Sequence, residues 1–167
     1  MNIPHKYAED IGSMKIKRGT VGGQVKMYSF DAVPICLEEE CPAYGICHYH
    51  QSEGHKNAKC KVHLDYMKAI TDVMFRNYSE CLTEGKFFRV GTQLMSLYGT
   101  LCRIQIEKVG TSSITMLNSR GTLSAHPIFK EERETIKVIE SLWRSIGLKP
   151  NHEVPEPDFG TSEEERE

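Results

Sequence analysis

His63–Lys108 reads HLDYMKAITDVMFRNYSECLTEGKFFRVGTQLMSLYGTLCRIQIEK, and the apolar period of this stretch decides the fold. Tyr66, Met67, Ile70, Val73, Met74, Tyr78 and Cys81 recur at steps of three and four. That period predicts an amphipathic helix of about twenty residues running to Glu84, with Gly85 as its stop. Val90, Leu94, Leu97, Tyr98, Leu101, Cys102 and Ile104 restart the pattern over roughly Phe88–Lys108, and Gly110 ends it. Two long helices joined by a short turn predict a long antiparallel helical hairpin. Cys81 and Cys102 fall on its apolar faces and read as buried free cysteines. His63, at the first helix start, is expected as a cap or surface residue.

Beyond the hairpin, Ile114-Thr115-Met116-Leu117 and Thr122-Leu123-Ser124-Ala125 read as short extended pieces about the turn-like Asn118-Ser119-Arg120-Gly121. His126-Pro127 then opens a third helix, with proline where a helix tolerates it. Its apolar face is Phe129, Ile136, Ile139, Leu142, Trp143 and Ile146, and Gly147 closes it. Glu131, Glu132 and Glu134 are expected in its first turns, at the positive end of the dipole. The remaining residues, 151–167, are rich in Pro, Glu and Ser, lack an apolar period and read as a disordered acidic tail.

Upstream of the hairpin the chain changes character. Cys36, Cys41, Cys47 and Cys60 lie within twenty-five residues, with His48, His50 and His55 among them. The segment carries little apolar content, so a metal rather than a hydrophobic core is expected to organise it. The intervening spacings of four, five and twelve residues lack the two-residue knuckle of common zinc fingers. A histidine could replace one thiolate. Four thiolates close the coordination shell, however, which predicts a structural zinc site in a Cys-rich knob, ahead of an iron–sulfur cluster or no metal. Gly45 and Gly54 are expected to supply the backbone freedom for its reversals. Closed ligation leaves no position for a reacting water.

The first twelve residues read as a loose arm. After them, Met14–Lys17 and Val25–Phe30 alternate around Gly19, Gly22 and Gly23, which predicts a small N-terminal β-hairpin. Lys15, Lys17, Arg18 and Lys26 make that hairpin basic, and Lys56, Lys59 and Lys61 do the same around the last cysteine. These seven side chains are the candidate DNA contacts. Solvated lysines protecting an edge strand are the alternative for the hairpin. The expected organisation is therefore an arm, hairpin and metal knob over residues 1–62, a helical oligomerisation core over 63–150, and the tail, in a mainly α chain.

Charge and composition narrow the function classes. The chain has a formal charge of −2, but residues 151–167 alone carry seven acids against one base. The body is consequently mildly basic, which is compatible with nucleic-acid contact. There is no signal-peptide-like start and no apolar run of membrane-spanning length, so a cytoplasmic protein with reduced thiols is expected. No phosphate-cradling Gly-rich loop, His-Glu-x-x-His or Gly-x-Ser-x-Gly motif occurs, so no enzyme is expected.

Leu101-Cys102-Arg103, Ser119-Arg120-Gly121-Thr122-Leu123, His126-Pro127 and Ser145-Ile146-Gly147-Leu148-Lys149-Pro150 follow one another in an order that resembles the P27-type small terminase subunits of tailed phages. The likeness covers residues 85–150. It implies a non-enzymatic subunit, acting in the host cytoplasm, that assembles into a cyclic homo-oligomer. Such a ring binds double-stranded viral DNA and regulates the large terminase during genome packaging. This chain departs from the family after Pro150, where Asn151-His152-Glu153 stands in place of small residues and arginine. Two other readings remain beside it. One is a zinc-binding transcription regulator that reads duplex DNA through the knob; the other is a small iron–sulfur redox protein.

Overall fold

The computed structural model describes residues 16–17, 24–25, 33–49, 58–82, 85–111, 113–149 and 154–160. Its element order is β1 (Ile16–Lys17), β2 (Gln24–Val25), a 3-10 turn (Glu38–Glu40), α1 (Lys61–Leu82), α2 (Gly85–Val109), β3 (Thr115–Leu117), β4 (Leu123–Ala125) and α3 (Pro127–Ser145). The chain is thus mostly helical, with small two-stranded antiparallel sheets. β1 pairs with β2 through Ile16↔Val25 and Lys17↔Gln24; Gly19, Gly22 and Gly23 lie outside the described residues. Gly85, expected to stop the first helix, instead opens the second. Glycine is tolerated at a helix end, where fewer backbone bonds depend on it.

α2 packs against both α1 and α3. The core takes Tyr66, Met67, Ile70 and Met74 from α1, Leu94, Met95, Tyr98, Leu101 and Cys102 from α2, and Ile139 and Trp143 from α3. Tyr66 lies close to Cys102 and Tyr98, and His63 lies close to Arg103. The Trp143 indole Nε1–H donates to the Tyr98 hydroxyl at 3.2 Å, with both rings fully buried. This bond ties α3 to α2 within the apolar core. His63 departs from the expected cap or surface position and is buried, with only 2% of its surface exposed. One turn before Met67, it shares the face that the period assigns to the core.

β3 and β4 pair antiparallel through Thr115↔Ala125, Met116↔Ser124 and Leu117↔Leu123. The Asn118 carboxamide oxygen accepts from the Arg120 and Thr122 amides, while Gly121 takes the left-handed conformation with φ 72°. This is the side-chain-supported turn that asparagine and glycine favour. His126 caps α3, its Nδ1 accepting from the Ile128 amide at 3.3 Å. At the other end Gly147, with φ 74°, donates to Arg144, and Leu148 donates to Trp143. Those two bonds form a Schellman cap and turn Leu148 back onto the core. Glu131, Glu132 and Glu134 fall in the second turn of α3, its first turn holding no acid. Glu132 instead forms a cross-helix ion pair with Lys108 at 2.8 Å.

Two expectations change near the chain ends. The cysteine segment does enter the core, because Val33 and Ala43 are 1% and 2% exposed. Residues 154–160, expected to belong to a disordered tail, also pack: Val154 and Phe159 lie against the core cluster. Two apolar side chains suffice to seat a short segment whose period is too sparse to register as a helix or strand. Among the described residues, no helix is long and apolar enough to cross a membrane.

Candidate metal centre

The four cysteines arrive from three local structures. An isolated antiparallel bridge, Ile35↔Lys59, places Cys36 and Cys60 on adjoining strands. Its bonds run from the Cys36 amide to Ala58 O and from the Cys60 amide to Pro34 O, both 2.9 Å. Consecutive tight turns then carry Cys41 and Cys47: the Cys41 amide donates to Glu38 O and the Cys47 amide to Ala43 O. Glu38 holds a left-handed φ of 50° between the first two cysteines. That conformation costs a non-glycine residue about 1 kcal/mol. Gly45 is not among the left-handed residues, and a Cβ there would meet nothing within 4 Å. The bend falls one turn earlier than the glycine suggested; Gly54 lies outside the described residues.

Cys60 immediately precedes α1, and its carbonyl accepts the first helical bond, from Leu64 at 3.0 Å. Its sulfur accepts the backbone N–H of His63. Cys60 is therefore the N-cap of α1, with its thiol at the positive end of the helix dipole. Burial pushes the Cys60 thiol up, and the nearby Cys36, Cys41 and Cys47 raise it further against the pull of the His63 amide. All four sulfur-bearing residues, with Phe159, line one cavity of about 20 Å³. Among the described residues, no group of three or more His, Cys, Asp or Glu side chains stands arranged to hold a metal ion. The thiols share a cavity without forming a drawn-in ligand shell.

The other candidate ligands are placed differently. His48 does not line the cavity, and its Nδ1 is buried without a hydrogen-bond partner among the described residues. His50 and His55 lie outside the described residues. The C-terminal segment covers this region: His48 donates its amide to Phe159 O at 2.9 Å, and Gly160 lies against Tyr49. Phe159 was not singled out from the sequence, where one aromatic in an acidic tail gives no period to read. On the helical side, a Cβ at Gly110 would stand 2.7 Å from Pro42 Cβ and 2.9 Å from its carbonyl oxygen. Gly110 therefore lets the end of α2 abut the cysteine turn, a role beyond the stop signal read from its position.

The seven candidate DNA contacts separate by position. Lys15, Arg18, Lys26 and Lys56 lie outside the described residues, and Lys17 is described only through its β1 backbone. Lys59 turns inward, its Nζ donating to Val33 O at 2.9 Å. Lys61 pairs with Asp65 at 2.6 Å and stands 5.7 Å from the Tyr49 ring centroid. Both lysines support the cysteine segment. No family model, curated protein or solved structure matches this chain.

Proposed function

We propose that this chain is a non-enzymatic, self-associating DNA-handling subunit of the small terminase type. The observation that carries the reading is the β3–β4 hairpin between α2 and α3. Leu117 and Leu123 form a cross-strand pair on one face, 65% and 72% exposed, and Ile114, just ahead of β3 at the other end of the hairpin, is 67% exposed. An isolated two-stranded hairpin is marginal in water, and exposed leucines lose the burial that would stabilise it. A second copy of the chain supplies that cover. Ile35, Leu37 and Ile46 expose a further apolar surface on the cysteine turn. When two different surfaces meet head to tail, the contact can close into a ring.

In this reading α1 and α2 form the long antiparallel hairpin that spaces neighbouring subunits, and the cysteine segment is a knob braced on its end. A ring multiplies the modest positive charge of each body, so duplex DNA is held by many weak phosphate contacts. The large terminase and viral DNA are the partners it implies. The inward bond of Lys59 and the pairing of Lys61 with Asp65 give less support to a regulator reading DNA through the knob.

Native mass spectrometry and light scattering test the assembly. The reading expects a closed oligomer that binds duplex DNA, and a Leu117→Ser/Leu123→Ser variant that dissociates and loses that binding while its helical circular dichroism persists. A wild-type chain that stays monomeric at every accessible concentration overturns it.

A further inference from the structure

We propose that Cys36, Cys41, Cys47 and Cys60 bind one Zn²⁺ through four thiolates, and that Phe159 of the C-terminal segment closes the site against solvent. The site is independent of the DNA-handling reading. Four cysteines from the bridge strands, the turn and the α1 N-cap line a single cavity of about 20 Å³. A cavity of that size admits one water-sized occupant, and tetrahedral zinc–sulfur bonds of about 2.3 Å fit a shell built from one side chain per corner. The thiolate set excludes His48, which lies off the cavity. Four protonated thiols gain little by converging. A divalent cation supplies that attraction, and each thiol releases its proton to solvent on ligation.

The surroundings suit the resulting charge of about −2 on a zinc tetrathiolate. Cys60 sits at the N-terminus of α1 and already accepts the His63 amide at sulfur. Anionic sulfur is favoured there by the helix dipole. Lys61 and Glu38 both line the cavity, so their charges offset and the favourable contribution is that of the α1 N-terminus. The bound ion would also oppose the left-handed strain at Glu38, because its flanking cysteines would be fixed by metal as well as by backbone.

Phe159 gives the site its second property. It lines the cavity, while its carbonyl is held by the His48 amide at 2.9 Å. One aromatic ring from the far end of the chain thus covers the ligands. Metal binding at residues 36–60 is thereby linked to docking of residues 154–160: occupancy should fasten the segment, and the segment should slow exchange.

Full-length protein purified without chelators tests both parts. Elemental analysis and native mass spectrometry should find about one zinc per chain. Co²⁺ added to chelator-stripped protein should give the intense visible bands of tetrahedral cobalt thiolate. Cys36→Ser and Cys47→Ser should each lose stoichiometric zinc, whereas Cys102→Ala keeps it. Phe159→Ala should retain zinc but transfer it to a chromogenic chelator roughly 10-fold faster. Should the serine variants not fold, the wild-type cobalt spectrum still decides the ligand set. Iron–sulfur absorbance, absence of any metal with four freely reacting thiols, or full zinc in either serine variant overturns the site. An unchanged transfer rate in Phe159→Ala overturns the closure.

Discussion

His63 shows how one side chain can make stability depend on pH. Its ring is buried with neither nitrogen hydrogen-bonded among the described residues. Burial, reinforced by Arg103, lowers its pKa from 6.5 to about 4. The folded chain therefore resists a proton that the unfolded chain accepts. His63 leaves stability intact above pH 6.5 and erodes it as pH falls from there toward about 4, by up to about 3 kcal/mol. The Tyr66 hydroxyl and the Gln105 carbonyl oxygen are also buried without partners among the described residues. His63→Leu should flatten the dependence of the urea midpoint on pH between 4 and 7 relative to wild type. Both chains carry the same cysteines, so any acid loss of metal is common to them. Equal slopes would remove His63 as the cause.

Tyr98→Phe, also at this scale, deletes the acceptor of the Trp143 indole between two fully buried side chains. A cost of about 1–2 kcal/mol in denaturant unfolding is expected, with the helical signal unchanged. A neutral result would mean that the ring packing alone holds α3 to α2.

Among the elements, α3 is the most completely defined by its ends. His126 caps its start, and the Gly147 and Leu148 amides close its last turn. Gly147 holds φ at 74° with open space about its Cβ position, so Gly147→Ala adds backbone strain without a clash. Thermal melting should register a loss of about 1–2 kcal/mol. Gly110→Ala works by the opposite mechanism, since its Cβ would meet the Pro42 backbone rather than a torsional barrier. That variant should loosen the contact between α2 and the cysteine turn, read as faster reaction of Cys41 and Cys47 with a thiol reagent. Unchanged reactivity would show that the turn yields at no cost.

For the molecule as a whole, the proposed self-association would make stability depend on protein concentration. A melting temperature that rises with protein concentration is expected for wild type and not for Leu117→Ser/Leu123→Ser. Under the proposed DNA-handling role, affinity for duplex DNA should fall steeply with salt, because neutralised phosphates would release counterions in proportion to the contacts made around a ring. A shallow salt slope would point to few phosphate contacts and count against multivalent binding.

Periodicity was sufficient for the helical elements, although Gly85 opens the second helix where a stop was expected. The three- and four-residue steps from Tyr66 and from Val90, the Pro127 start and the Gly147 stop each mark local physics that needs no distant partner. The same holds for the β3–β4 hairpin, whose turn carries asparagine and glycine. Clustering of four cysteines announced a candidate metal site, but spacing alone could not show that all four line one cavity. That follows from pairing Ile35 with Lys59 and seating Ala43 in the core, contacts between residues far apart in sequence. Burial of His63, the inward turn of Lys59 and the placement of Phe159 beside the cysteines were equally beyond reach. Each depends on what stands opposite in space, and a local pattern carries no record of that.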